Sequence, residues 1–233
     1  MNEPHNRMQL GEAWSALREL IANPEDTAQV FRIIRAMGGP SIHEGFRRFK
    51  ATPEGHRILA EEIDLIDTLK DRERLKQMRP DSLGRAYLAF MEAENLSAEG
   101  LVDASKDGEQ WSDSGLTRFS QRTRDQHDLW HTLTRYGRDE LGEMCLLAFT
   151  YAQNRNRGIG LITLMGAWQL RKSYGWGVFR AARRGYMDGR RAAWLPAVAW
   201  ERLLEQPIEK VRVELRIPEP TPYQALRADF AAA

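Results

Sequence analysis

The chain has 233 residues, 34 of them Lys or Arg against 33 Asp or Glu, for a formal net charge of +1, and a single cysteine, Cys145. That length supplies a full core, and a near-neutral charge argues against a duplex-DNA binder, which carries a dominant basic surplus. One cysteine excludes an internal disulfide framework, no apolar run reaches the roughly 18–20 residues of a membrane helix, and Met1 to Leu10 suits neither a signal nor a transit peptide. A soluble cytoplasmic protein, at most peripheral on the inner face of a membrane, is expected.

Helical periodicity opens the chain. Trp14, Leu17 and Ile21 repeat at helix spacing, and Asn23-Pro24-Glu25-Asp26 ends that helix and caps the next. Val30, Phe31, Ile34 and Met37 form a second apolar stripe, with Gly38-Gly39-Pro40 as its expected end. Thr52-Pro53-Glu54 reads as an N-cap with proline at the first helical position, leading into one amphipathic helix through Ile58, Leu59, Ile63, Ile66 and Leu69. Pro80-Asp81-Ser82 restarts the chain for a stripe of Leu83, Tyr87, Phe90 and Met91. All these residues read first as core.

Gly100 to Gly115 is polar and reads as a loop crossing between two helical halves, each short of a closed core alone. Period-2 alternation appears only near Val211 to Ile217, where Lys210, Arg212, Glu214 and Arg216 can equally face out of a final helix. The expected fold is all-α, a single multi-helix domain.

The stretch that points to chemistry is Arg124-Asp125-Gln126-His127-Asp128-Leu129-Trp130-His131, with Glu143 after eleven further residues. On a helix, His127 and His131 share one face a turn apart, with Asp128 on the flank. That is how a helix presents ligands to a metal. In one unbroken helix Glu143 would lie about 18 Å up the axis from His131. Tyr136-Gly137-Arg138-Asp139 offers a break, so that an antiparallel second helix can return Glu143 towards the histidines. The apolar run Met144 to Phe149 then buries the glutamate, and a buried carboxylate needs a compensating charge. A solvated helix face accounts for the same string, with Asp128 pairing with His131 or Arg124 and Glu143 with Arg138. Two histidines and two carboxylates suit Zn²⁺, placed first, or Fe²⁺ or Mn²⁺, over Ca²⁺.

These residues resemble the signature of the Coq4 family of ubiquinone biosynthesis. The likeness continues in Gln121-Arg122-Thr123-Arg124, in Asp81-Ser82-Leu83-Gly84-Arg85-Ala86-Tyr87 with Phe90-Met91, in Trp200-Glu201-Arg202-Leu203-Leu204, in Pro207-Ile208, and in Val211-Arg212 to Ile217-Pro218. It is clearest from about residue 55 to 220 within one helical domain spanning 1–233. Asn154-Arg155-Asn156-Arg157 and Gly158-Ile159-Gly160 depart from the family's proline-containing stretch, and Ala60-Glu61-Glu62 stands where a proline is common. The resemblance implies an all-helical protein that removes the carbon-1 carboxylate of a polyprenyl-hydroxybenzoate, alone or coupled to hydroxylation. Its metal would be held by His127, Asp128, His131 and Glu143, the catalytic set. Arg122 and Arg124 are candidate partners for the substrate's carboxylate. The rival from another class is a lipid-binding scaffold that organises the other ubiquinone enzymes around a structural metal. A His-Asp phosphohydrolase fits poorly, because the nearest upstream histidine, His56, is 71 residues before His127.

Gly158 to Trp168 is apolar on every side and reads as a buried core helix, or as one wall of a tunnel for an isoprenoid tail. Arg171 to Arg191 mixes seven basic residues with Tyr174, Trp176, Phe179 and Tyr186 against the single acid Asp188, which suits an anionic membrane surface or a solvated helix face. A homodimer is compatible with all of this, and nucleic acid is not an expected partner.

Overall fold

The computed structural model describes residues 8–22, 27–98 and 111–232. It is all-α. The helices are α1 (Leu10–Ala22), α2 (Thr27–Lys50), α3 (Pro53–Ala60), α4 (Leu65–Leu69), α5 (Arg72–Gln77), α6 (Leu83–Ala93), α7 (Ser114–Asp125), α8 (His127–Thr134), α9 (Glu140–Asn154), α10 (Arg157–Tyr174), α11 (Gly177–Arg191), α12 (Trp200–Leu203), α13 (Ile208–Glu214) and α14 (Thr221–Ala231). Among the described residues no strand forms; one isolated bridge joins Ser82 and Pro207. The expected cap at Asn23 to Asp26, and the polar loop up to Gln110, lie outside the described residues.

The chain folds as two compact units interleaved in sequence. Unit A takes Met1–Gly45, Tyr136–Arg191 and Glu219–Ala233; unit B takes Phe46–Arg135 and Ala192–Pro218. Asp113 accepts the N–H groups of Gly115 and Leu116 at the start of α7.

In unit A the tightest packing is α9 against α11. A Cβ on Gly185 would lie 2.6 Å from the carbonyl oxygen of Cys145, and one on Gly189 would lie 2.5 Å from that of Phe149. The two glycines, one turn apart, are what let the backbones approach. The Gln153 amide then donates to Gly189 O at 2.6 Å. Burial pushes the Cys145 thiol well above its usual range, so it stays a protonated core residue. A second layer joins Ala16, Ile33 and Ile162 with Leu17, Val30, Ile34, Met37 and Leu147. The C-terminal α14 is fastened by Tyr223, whose hydroxyl donates to Asp139 at 2.6 Å and accepts Gly137 N–H at 3.0 Å.

Three expectations are corrected here. Helix α2 does not end at Gly38-Gly39-Pro40 but runs through to Lys50. Pro40 cannot donate to the carbonyl four residues back, Ala36. That oxygen instead accepts the backbone N–H of Gln9 at 2.7 Å, so the break costs no hydrogen bond. The helix expected from Thr52 through Leu69 is two. Thr52 caps α3 as anticipated, accepting Gly55 N–H at 3.0 Å. The chain then turns at Glu62 (φ 53°), whose carbonyl takes Arg118 Nη1 at 2.8 Å, before α4 begins. Finally, Gly158 to Trp168 is only half core: on α10, Ile159, Ile162 and Ala167 are buried, whereas Leu164 and Trp168 are exposed.

In unit B, Phe46 and Phe49 pack on Phe119 with ring centroids 6.0 and 5.0 Å apart. Ser82 caps α6 by accepting Arg85 N–H. The chain between α12 and α13 clasps the start of α6: Leu83 N–H donates to Gln206 O at 2.9 Å, and Gly84 N–H to Leu204 O at 2.8 Å. A Cβ on Gly84 would clash with Met78 Sδ and lie 3.1 Å from that Leu204 oxygen, so the position favours glycine. Residues 211–214 are helical, in α13, and the expected outward face is only partly right: Glu214 and Arg216 are exposed, whereas Arg212 is buried and Val213 faces out.

Candidate metal centre

The motif helix α8 is short, eight residues, and its sequence is bounded at both ends. It starts at a break. Gln126 sits between α7 and α8 with its side chain fully buried, where it serves three groups. Its Nε2 donates to Arg122 O at 3.0 Å, and its Oε1 accepts the indole N–H groups of Trp130 (3.2 Å) and Trp200 (2.9 Å). The helix ends at Arg135, a non-glycine in the left-handed region (φ 61°) whose N–H returns to His131 O. Arg135 itself is held by both carboxylate oxygens of Glu209 at 3.0 Å. The break expected at Tyr136 to Asp139 is therefore present. It begins at Arg135, not at Gly137, and closes where Asp139 caps α9 by accepting Gly142 N–H.

On α8 the two histidines meet. Nε2 of His127 and Nε2 of His131 stand 3.2 Å apart, with the rings edge to face. Two nitrogens bound at about 2.0–2.1 Å to one tetrahedral zinc stand about 3.3 Å apart. Asp128 completes a group whose ligand atoms all lie within 4.8 Å of one another. Asp128 and His131 are buried and His127 is half-buried. The residues thus fit a divalent cation by donor type and spacing. Phe90 of α6 stacks on the His131 ring (5.6 Å, 18°), which fixes its plane. The end of α8 is held by a residue from far along the chain: Arg212 donates Nε to Leu133 O (2.9 Å) and Nη2 to Thr132 O (2.8 Å).

The two arginines expected to face substrate are differently employed. Arg122 is 1% exposed, with Nη1 and Nη2 on the two oxygens of Glu201 (2.6 and 3.0 Å) and Nη2 also on Val198 O. Burial alone would raise the Glu201 carboxyl, but the Arg122 hydrogen bond and charge outweigh it and hold Glu201 below the usual glutamate range. Arg122 is a buried structural cation. Arg124 donates Nε and Nη2 to one oxygen of Asp125 at 2.8 and 2.6 Å. Desolvation nonetheless keeps Asp125 above the ordinary aspartate value. Glu143 lies in the first turn of α9 in unit A, half-buried, with Arg138 Nε 3.7 Å from its Oε1. Its place as a fourth ligand rests on the family resemblance.

The sequence alone assigned no role to Gly84, Gln126, Trp200 or Glu201, and turned Arg212 to solvent. Each of them has a partner roughly 74 to 120 residues away in sequence. A family model described as coenzyme Q (ubiquinone) biosynthesis protein Coq4 matches residues 3–221. The chain belongs to the Coq4 family. Among curated relatives, the ubiquinone biosynthesis protein of Pyrenophora tritici-repentis is 30% identical over 187 residues, covering 77% of this chain and 61% of its own. That of Podospora anserina is 26% identical over 179 residues, 76% and 58% of the two chains. A Drosophila sechellia homologue is 28% identical over 222 residues, 92% and 78%. All three names carry the word mitochondrial, whereas the sequence reading expected the cytoplasm. The chain spans about three fifths of the length of the two fungal relatives. A crystal structure from Nostoc punctiforme PCC 73102, provisionally described as a ubiquinone biosynthesis protein, shares the fold at TM-score 0.67 and 17% identity, over 91% of this chain and 100% of that one.

Proposed function

We propose that this Coq4-family protein is a metal-dependent decarboxylase of ubiquinone biosynthesis, acting at carbon 1 of a polyprenyl-hydroxybenzoate. The observation that carries the reading is the 3.2 Å convergence of His127 and His131 nitrogens beside the buried Asp128. His127, Asp128 and His131 would hold the cation, and the family resemblance adds Glu143 to them. When bound, a divalent cation supplies a counter-charge for the substrate's carboxylate or phenolate and for negative charge developing on the ring. The bond from carbon 1 to the carboxylate breaks, CO₂ leaves, and a proton takes its place on the ring. Coupled hydroxylation would need an oxidant and a redox-active ion such as Fe²⁺, because zinc has no redox chemistry.

The protein's own residues prepare this site in three ways. Burial of Asp128 and His131 excludes water from one side of the substrate's head group and strengthens every charge interaction there. Phe90 and Arg212 fix the ring of His131 and the end of its helix. Arg124, half-buried and itself paired with Asp125, is the residue the family resemblance offers for a substrate carboxylate, since Arg122 is committed to Glu201. Mitochondrial placement, as in the names of the relatives, and contacts with other ubiquinone enzymes belong to the same proposal.

The scaffold reading makes the same metal structural, and four protein ligands would favour it by closing the site. Incubating metal-loaded protein with a polyprenyl-hydroxybenzoate labelled at the carboxyl decides between them. Labelled CO₂ and the decarboxylated product, lost in His131→Ala, support the enzyme. Metal-replete protein that binds the substrate and leaves it unchanged, with and without oxygen, supports the scaffold.

A further inference from the structure

On α10 and the turn into α11, unit A carries an aromatic surface unrelated to the metal site. Leu164, Trp168 and Trp176 are 65%, 57% and 68% exposed. Leu164 and Trp168 share one face of α10 a turn apart, and Trp168 meets the Trp176 ring at 6.5 Å, edge to face. Between the indoles lies Arg171, its guanidinium carbon 4.2 Å from the Trp168 ring centre and 5.1 Å from that of Trp176. Phe179 continues the aromatic row at 5.5 Å from Trp176.

The charge around this row has one sign. From Arg157 to Met187 there is no Asp or Glu, while Lys172, Arg180 and Arg183 lie exposed beside the row. Arg184 pairs with Asp188, but among the described residues no carboxylate pairs with Arg171, Lys172, Arg180 or Arg183. Arg171 Nε is buried with no acceptor at all. A guanidinium stacked on aromatic faces with its donors unspent is suited to a phosphate. Exposed indoles and a leucine bordered by cations match the headgroup boundary of a bilayer, where Trp sits with one edge wet.

We propose that Leu164, Trp168 and Trp176 form a wedge that enters an anionic phospholipid surface, with Arg171 clasping a lipid phosphate between the two indoles. A second copy of the chain is the poorer occupant. A two-fold interface places the same patch on both sides and would set these unpaired cations against their like. Nucleic acid would leave Leu164 without a role. The docking is independent of the metal chemistry and would present unit A to a membrane that dissolves polyprenyl compounds.

The test is flotation of the full chain with vesicles of phosphatidylcholine alone or with about one third phosphatidylglycerol. Wild type is expected to float with the anionic vesicles, to be released by salt, and to float much less with neutral ones. Trp168→Ala with Trp176→Ala should weaken partitioning at least tenfold, and Arg180→Gln and Arg183→Gln about fivefold each. Arg171→Leu should lose more than either, because it removes the stacked donor as well as a charge. His127→Ala with His131→Ala should float as wild type, so that failure of the metal proposal leaves this result untouched. Equal binding to neutral vesicles, no binding, or unaltered flotation of the double tryptophan variant overturns the proposal. So does a change in oligomeric state without vesicles in that variant, which would make the patch an interface between copies.

Discussion

Replacing Glu201 by glutamine keeps the shape of the partner that Arg122 grips and removes only its charge. The guanidinium is 1% exposed and spends both terminal nitrogens on Glu201, so water cannot replace the lost counter-charge. Breaking a buried pair from one side costs about 3–5 kcal/mol. For a chain of this size each kcal/mol lowers Tm by about 2–4 °C, so Glu201→Gln should melt about 6–20 °C below wild type at pH 7. Differential scanning calorimetry reads this directly. The pH arm has a definite sign. Glu201 has a depressed carboxyl in the folded chain, so its contribution is complete above the unfolded glutamate value of about 4.3. It fades as pH falls through the lower folded value, and the Tm gap between wild type and variant should close there. Arg122→Met combined with Glu201→Gln is expected to lose less than Glu201→Gln alone, since it removes the stranded charge. If Glu201→Gln melts within about 1 °C of wild type at pH 7, the buried-pair argument fails, and Arg122 returns to the list of substrate-facing residues.

Two further perturbations test how the motif helix is held and how unit A is packed. Arg212→Met removes the donors to Thr132 O and Leu133 O and should weaken metal binding about 10- to 100-fold at unchanged helix content. Competition with a chromophoric chelator measures this, and wild-type affinity would make Arg212 irrelevant to the site. Gly185→Ala places a Cβ against the Cys145 carbonyl, forcing α9 from α11 for a net loss of about 1–3 kcal/mol in spite of alanine's better helix propensity. Gly11→Ala, with nothing within 4 Å of the new Cβ, is the control and should melt at or slightly above wild type. Equal Tm values for the two would contradict the close approach.

The helical periodicity, the Thr52 cap, the restart at Pro80 to Ser82 and the break after α8 were legible because each is written in residues a few positions apart. So was the meeting of His127 and His131, which needs only helix geometry. What the sequence did not disclose depends on distant partners. Gly38-Gly39-Pro40 carries every local sign of a helix end, yet the carbonyl freed by Pro40 finds the N–H of Gln9 in another helix layer. Arg122 looks like a substrate arginine until Glu201, 79 residues on, occupies it. Gln126 gives no signal at all, because its role is to accept two indoles, one of them 74 residues away. Leu164 and Trp168 read as core because their stretch is apolar all round, and only the packing of α10 shows which face stays open.

The central claim is that His127, Asp128 and His131 hold a metal ion, and zinc K-edge absorption with elemental analysis of the loaded protein tests it most directly. About one zinc per chain is expected, with two imidazole nitrogens at about 2.0–2.1 Å and oxygen in the remaining positions. His127→Ala with His131→Ala should lose the metal while helix content is kept. A double variant that retains stoichiometric zinc, or a wild-type spectrum with no histidine ligand, would contradict it.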